Sequence, residues 1–170
     1  KEEMKKNGIT TKWKENVKAG PVIDDDNFFL NYVMHPYFGG VYYMTARSNG
    51  FTILESFAYS AIMSTFFWEY GVEAFAEIPS VQDLIVTPVL GSVVGEGFFD
   101  AKRSILKNDS KVLNSKFLGK TSLLLMDPLN TIMDSFGYKQ KVKTQLNVAP
   151  VGFNPYTKSA TLGLSFSASF

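Results

Sequence analysis

Cysteine is absent from this 170-residue chain, and histidine occurs only once, as His35. Without cysteine the chain has neither a disulfide framework nor a thiolate metal site, although the cellular compartment stays open. A single histidine excludes a histidine-rich metal site and allows a Ser/His/Asp triad only around His35. We therefore expect neither a metal nor a cofactor.

Charge and long apolar segments are also scarce. Charged residues make up 19% of the chain and aromatic residues 15%, whereas an average soluble domain has roughly 25% charged residues. The net charge of +1 provides no basic field for nucleic acid. When His35 is counted as ionisable, the longest charge-free stretch within the part that we predict to be helical is residues 56–68, short of the roughly 20 residues that cross a bilayer. This balance fits a large aromatic core or a surface in contact with lipid.

The chain divides into three parts by composition. Residues 1–20 are polar and lysine-rich, which predicts a solvated N-terminal arm. Residues 21–137 contain helix caps and helix-length apolar segments, and we interpret them as one helical domain. Residues 138–170 alternate apolar with polar side chains, a pattern that is typical of strands.

Two capping patterns define the centre of the helical domain. In "TILE", Thr52 precedes Glu55 by three residues, and this capping box begins a predicted helix over about 53–76. The weaker pattern "SVQD" at 80–83 begins another helix that extends to about residue 106. Because only the short "EIPS" segment connects them, we predict an antiparallel helical hairpin.

The second of these helices contains two glycines, Gly91 and Gly95, four residues apart. Residues at that spacing lie on one face of a helix, and small side chains there allow another helix to approach closely. The spacing therefore predicts a close helix contact, whether in a membrane or in an ordinary soluble bundle.

The last part of the chain has a period of two. "KVKTQLNVA" and "SATLGLSFSASF" both alternate apolar with small or polar residues, and the intervening "PVGFNPYTK" contains turn residues. The pattern predicts two strands, from about Val142 and up to Phe170. The predicted fold class is therefore mainly α, a helical hairpin bundle followed by a C-terminal antiparallel β-hairpin.

Two glutamates in the aromatic segment "FFWEYGVEAFAE" are the most unusual polar residues of the chain. Glu69 and Glu73 lie one helical turn apart, and Asp83 follows near the start of the next helix. A buried carboxylate needs a hydrogen-bond donor or a proton. We therefore expect both glutamates to be largely buried and hydrogen-bonded, at least one of them to a group in residues 27–47.

Three interpretations of this acidic cluster remain open. In the first, the carboxylates have a structural role at a helix interface. In the second, they bind a lipid headgroup or a partner's basic side chain. In the third, His35 acts as a general base that Glu69, Glu73 or Asp83 orients. The candidate binding residues are Asn31, His35, Arg47, Glu69, Glu73 and Asp83.

The segment from about residue 27 to 100 resembles an uncharacterised bacterial envelope family, a domain of unknown function. The resemblance depends on Asn-Tyr…His-Pro-Tyr-Phe-Gly, on Trp-Glu-Tyr-Gly…Glu, and on Gln-Asp-Leu…Thr-Pro. It implies a location in the Gram-negative envelope, at the outer membrane or its periplasmic face, and it implies no particular activity.

The final strand "SATLGLSFSASF" resembles the C-terminal strand of bacterial outer-membrane β-barrel proteins, whose terminal aromatic residue belongs to an assembly signal. Two strands alone leave open edges that lipid cannot satisfy. Either several chains therefore contribute hairpins to one barrel, or the hairpin packs on the helices of its own chain.

Our leading hypothesis is a non-enzymatic envelope protein with a membrane-associated helical domain and a β-hairpin for assembly or outer-membrane contact. The expected partners are a lipid or membrane surface and other protein chains, including copies of this chain, but no nucleic acid. The alternative is a lipid-modifying or hydrolytic enzyme that uses His35 with Glu69, Glu73 or Asp83. An accessible pocket with His35 near a carboxylate would favour the enzyme, and a dry, fully paired interface would favour the structural role.

Overall fold

The structure is a computed structural model that describes residues 8–23, 25, 27–138 and 143–169. In the last range, residues 143–150, 154, 166, 168 and 169 are described by their backbone alone. Val142 and Phe170, which the sequence assigned to the two strands, lie outside the described residues.

The described chain forms six α-helices and then two strands. Their bounds are α1 Ile9–Ala19, α2 His35–Arg47, α3 Ile53–Ile62, α4 Val81–Lys107, α5 Lys116–Met126, α6 Pro128–Ser135, β1 Lys143–Asn154 and β2 Ser159–Ser169. The strands pair antiparallel, with Lys143 opposite Ser169 and an irregularity between Pro150 and Gly152. The predicted fold class, mainly α with a C-terminal antiparallel β-hairpin, is confirmed.

Two wider helical segments extend the α-helices. A π-helix, Leu30–Met34, leads into α2, and a second, Met63–Val72, continues α3 and ends in the 3₁₀ turn Glu73–Phe75. The helical path predicted over about 53–76 is therefore present, but its second half is not α-helical. π-Helical turns are rare in proteins, and those that occur are often found at functional sites.

The capping box predicted at the start of α3 is present. Glu55 N donates to Thr52 Oγ1 over 3.3 Å, and Thr52 N donates to Glu55 Oε2 over 2.7 Å. These bonds pair amide groups of the first turn that have no partner within the helix.

Helix α1 lies in the segment that the sequence predicted to be a solvated arm, and the prediction is corrected there. Trp13 Nε1 donates to the carbonyl of Tyr70 over 2.7 Å, and Asn16 Nδ2 donates to the carbonyl of Ala74 over 2.9 Å. Both carbonyls lie where the π-helix gives way to the 3₁₀ turn and the regular bonding pattern ends. Helix α1 thus docks on this irregular end through Trp13 and Asn16.

The closest helix contact joins α2 to α4, which run parallel. A Cβ atom on Gly91 would lie 2.5 Å from the Cα atom of Gly39, and one on Gly95 would contact the ring of Tyr43. The predicted close approach at these glycines is therefore confirmed, although its partner is α2. Helix α3 packs against both of them, and Ser60 Oγ donates to the carbonyl of Gly39 over 2.9 Å.

Burial in this domain differs from that in an ordinary soluble protein. The buried set includes many small or polar side chains beside the apolar Val41, Tyr43, Met44 and Leu123, and many large apolar side chains lie outside. The buried polar and charged residues are Asn31, Glu55, Ser56, Ser60, Ser64, Glu69, Ser80, Asp83, Thr87 and Asp127. Exposed residues of the same helices include Phe38, Phe57, Ile62, Phe66, Phe67, Ile85, Val89 and Val93.

Candidate functional site

A pocket of about 410 Å³ lies between the start of α2, the second π-helix and the first turns of α4. One part of its lining is apolar or aromatic, formed by Leu30, Met34, Phe38 and Trp68. The other part is polar, formed by His35, Tyr42, Glu73, Glu77 and Thr87. A pocket with an apolar wall and a few polar groups has the character of a small-molecule site.

His35 is held on the pocket lining by two residues of α4. Its Nδ1 atom lies 3.1 Å from Thr87 Oγ1 and 3.4 Å from Asp83 Oδ1. Asp83 and Thr87 are four residues apart, so both reach the same side of α4. Because these contacts occupy Nδ1, Nε2 is the ring nitrogen of His35 left to contact a ligand.

Glu69 joins the second π-helix to the beginning of α4. Its side chain is 2% exposed, and its carboxylate accepts a hydrogen bond from the backbone amide of Ser80. Ser80 is the N-cap of α4, where unpaired amides and the helix dipole favour an anion. Burial raises the pKa of Glu69, while the Ser80 amide acts in the opposite direction. The donor therefore comes from the start of α4, whereas the sequence pointed to residues 27–47.

Glu73 is half-buried on the pocket lining, its carboxyl group interacts with those of Glu69 and Glu77, and its enclosed Oε2 atom meets no donor among the described residues. Burial, followed by the negative charge of Glu69, raises the pKa of Glu73 to about 8. Glu73 is consequently mostly protonated at pH 7, because two neighbouring carboxylates in a partly dry site do not both ionise readily.

The raised pKa of Glu73 predicts a pH-dependent stability. Between its ordinary pKa of 4.5 and about 8 the folded state binds the Glu73 proton and the unfolded state does not, so stability falls as pH rises through this window. We expect the melting temperature to fall by several degrees from pH 5 to pH 8, and Glu73→Gln to reduce that fall. The other ionisable groups of this region are His35, Tyr42, Glu69, Glu77 and Asp83, and Glu69 contributes with the same sign.

The matched control is Glu15→Gln, which removes an exposed carboxyl group of α1. It should keep the wild-type pH dependence of the melting temperature, measured by circular dichroism. Identical pH profiles for Glu73→Gln and Glu15→Gln would contradict the assignment.

The structure brings four of the predicted site residues into one region and separates a fifth. His35, Glu69, Glu73 and Asp83 lie at the pocket or directly beside it, as described above. Arg47 lies at the other end of α2, where Nε and Nη2 bond the two carboxylate oxygens of Glu96 at 3.0 and 3.1 Å.

The remaining predicted residue, Asn31, is buried in the first π-helix, next to the pocket residue Leu30. Within the described part of the chain, no group of three or more His, Cys, Asp or Glu side chains is arranged to hold a metal ion.

A second polar cluster, which the sequence analysis missed, joins α2, α4 and α6. Lys102 Nζ lies 2.6 Å from Asp127 Oδ2, and Asn130 Nδ2 donates to Asp127 Oδ1 over 2.8 Å. Ser48 Oγ also donates to Asp127. Asp127 is the N-cap residue of α6 and precedes the helix-starting Pro128.

A family model described as "Domain of unknown function (DUF3943)" matches residues 20–129. The chain belongs to the DUF3943 family. The matched segment contains the whole pocket and the α2–α4 contact, whereas α1 and the β-hairpin lie outside it. The expected resemblance to an uncharacterised domain family is confirmed to this extent. No curated protein and no solved structure matches this DUF3943 chain.

Proposed function

We propose that this DUF3943 protein is a non-enzymatic component of the Gram-negative envelope whose helical domain associates with a membrane through its apolar outer surface. The observation that supports the proposal is the burial pattern, in which many small or polar side chains lie inside and many large apolar side chains lie outside. The resemblance of the final strand to outer-membrane strands supports the envelope location.

The apolar exterior forms extended surfaces. On α4, Ile85, Val89 and Val93 are spaced by four residues and are exposed, Val93 to 71%. On the second π-helix, Phe66 and Phe67 are exposed to 68% and 54%. Monomeric soluble proteins rarely expose contiguous apolar areas of this kind, and such areas mark membrane or protein contacts.

The helix interfaces also fit a lipid environment. Helices in membranes associate through small residues and interhelical hydrogen bonds, because lipid removes the hydrophobic driving force between them. The contact of Gly39 with Gly91 and the bond from Ser60 to Gly39 are of this type. Among the described helices, α4 alone is long and apolar enough to cross a bilayer.

The β-hairpin is the proposed assembly element. Its strands have 12 and 11 residues, compared with about 9–11 residues in a membrane-spanning strand. Leu162 and Leu164 in β2 and Val151 and Phe153 in β1 are exposed. Because a two-stranded sheet leaves edge groups unpaired, further strands from other chains, including copies of this one, would complete it.

The proposal predicts that the full-length protein sediments with native membranes and is released by detergent but not by high salt. Ile85→Ser combined with Val89→Ser and Val93→Ser should move a large fraction to the soluble phase, because the apolar stripe of α4 is removed. Leu113→Ser, at an exposed leucine in the turn after α4, is the control and should stay with the membranes. A monomeric wild-type protein that remains soluble without detergent would overturn the proposal.

One observation favours a second candidate, a lipid-modifying or hydrolytic enzyme. The pocket brings His35 within reach of the carboxylate of Asp83, as a general base requires. Glu69 and Glu73 lie beside this pair. Incubation with phospholipid and mass analysis of the lipid separates the candidates, because an enzyme would form a product that His35→Gln abolishes.

A further inference from the structure

The charges around the pocket are unbalanced. Glu73 and Glu77 lie one turn apart on its lining. In the described part of the chain the lysine and arginine side chains that form ion pairs bind other partners, namely Glu96, Asp127 and Asp109. The enclosed Oε2 atom of Glu73 also meets no hydrogen-bond donor there. A cationic ligand would balance the carboxyl groups of the pocket and would also give the Oε2 atom of Glu73 a partner.

The rest of the lining favours an alkylammonium group over a simple metal cation. Trp68 and Tyr42 add aromatic surface next to the two carboxylates, and aromatic rings attract ammonium groups. A cation beside Glu73 would also offset the repulsion from Glu69 that contributes to its raised pKa.

The wall of the pocket continues onto the outer surface of the domain. Leu30, Phe38 and Trp68 line the pocket and are themselves exposed. They belong to the apolar exterior that the proposed function places against lipid, so an amphiphile can reach the pocket from the membrane. At about 410 Å³ the pocket has the size of a ligand site and would hold a headgroup with the beginning of its chains.

The polar lining also contains groups for an anion. His35 supplies a ring nitrogen and Thr87 a hydroxyl group, on the side of the pocket formed by α2 and α4. A headgroup with an ammonium and a phosphate would use both kinds of group, the carboxylates for the ammonium and the His35 side for the phosphate.

We propose that this pocket binds the ammonium headgroup of a zwitterionic membrane phospholipid, with Glu77 as one counter-ion and Glu73 as a second that releases its proton to solvent when the ammonium binds. The inference rests on the proposed membrane association and adds the ligand class. The pocket wall and the apolar exterior are continuous, and this favours a lipid as the ligand over the lysine side chain of a partner protein.

The test uses the full-length protein in detergent micelles doped with one phospholipid, and native mass spectrometry to count retained lipid. The probes are a phosphatidylethanolamine, its N-acylated derivative, which lacks the positive charge, and a phosphatidylglycerol. We expect the wild-type protein to retain the phosphatidylethanolamine at least about tenfold better than either, as for a charge-assisted contact. Equal retention of the three lipids would overturn the inference.

The variant Glu73→Gln with Glu77→Gln keeps the shape of both side chains and removes their charge. It should lose the discrimination between phosphatidylethanolamine and its N-acylated form, whereas Glu15→Gln with Asp109→Asn, at two exposed carboxylates, should keep it. A double variant that discriminates like wild type would refute the assigned counter-ions. Saturable binding of a lysine peptide that displaces no lipid would reject the lipid in favour of a protein partner.

Failure of this inference is distinguishable from failure of the proposed function. A wild-type protein that sediments with membranes but shows no headgroup preference would overturn the pocket assignment alone. A wild-type protein that never associates with membranes would overturn the proposed function.

Discussion

Gly91→Leu is expected to destabilise the helical domain by more than about 3 kcal/mol, because overpacking of a close-packed site typically costs 1–3 kcal/mol and here the obstruction is backbone. Even a Cβ atom at position 91 would lie 2.5 Å from the Cα atom of Gly39 and would also crowd Gly40. A backbone atom cannot move away by changing rotamer, so α2 and α4 would have to separate. The melting temperature in a fixed detergent, followed by circular dichroism, measures the effect.

The same helix offers a matched control. A Cβ atom on Gly97 would have no neighbour within 4 Å, so Gly97→Leu should change stability by less than about 1 kcal/mol, and its higher helix propensity acts in the stabilising direction. Gly95→Leu should resemble Gly91→Leu, since its Cβ atom would contact the ring of Tyr43. Similar melting temperatures for Gly91→Leu and Gly97→Leu would rule out the close α2–α4 contact.

Local signals predicted the parts of the fold that depend on neighbouring residues. The capping box at Thr52 and Glu55 and the cap at Ser80 involve groups three residues apart, and both form as expected. The alternation of the last segment likewise specifies a hairpin, because a strand has a period of two. Such features need no knowledge of the tertiary structure.

Packing partners could not be read from the same signals. The spacing of Gly91 and Gly95 identifies a face of α4, but nothing in it specifies that α2 covers that face, since helices adjacent in sequence are only the default neighbours. The docking of α1 was missed for a related reason. Trp13 lies in a lysine-rich segment that reads as solvated, and its partner is a carbonyl 57 residues away.

The candidate site was predictable in its composition but not in its bonding. Glu69 and Glu73 were identified because they lie in an aromatic segment, and His35 because it is the single histidine of the chain. The pocket itself depends on the π-helical path after Ile62, for which the sequence has no recognisable signal. Lys102 and Asp127 were missed because they are 25 residues apart on different helices, so no spacing rule connects them.

Asp127→Asn is the second substitution with a large expected effect. Asp127 is fully buried, and Lys102, which is 13% exposed, lies 2.6 Å away. Removing one partner of a buried ion pair costs about 3–5 kcal/mol, because the other charge is left uncompensated. Because the amide of asparagine keeps the size of the side chain, the loss of stability measures the contribution of the negative charge.

The surface pair of Asp109 and Lys111 provides the comparison for this variant. Their charged atoms are 3.9 Å apart and Asp109 is 85% exposed, so Asp109→Asn should change stability by less than about 1 kcal/mol. If the stranded charge of Lys102 causes the loss in Asp127→Asn, then adding Lys102→Met should recover part of it, because no buried charge remains. Two results would contradict the role of the Lys102–Asp127 pair in holding α4 to the start of α6. One is an equal melting temperature for Asp127→Asn and Asp109→Asn. The other is a double variant that is less stable than Asp127→Asn.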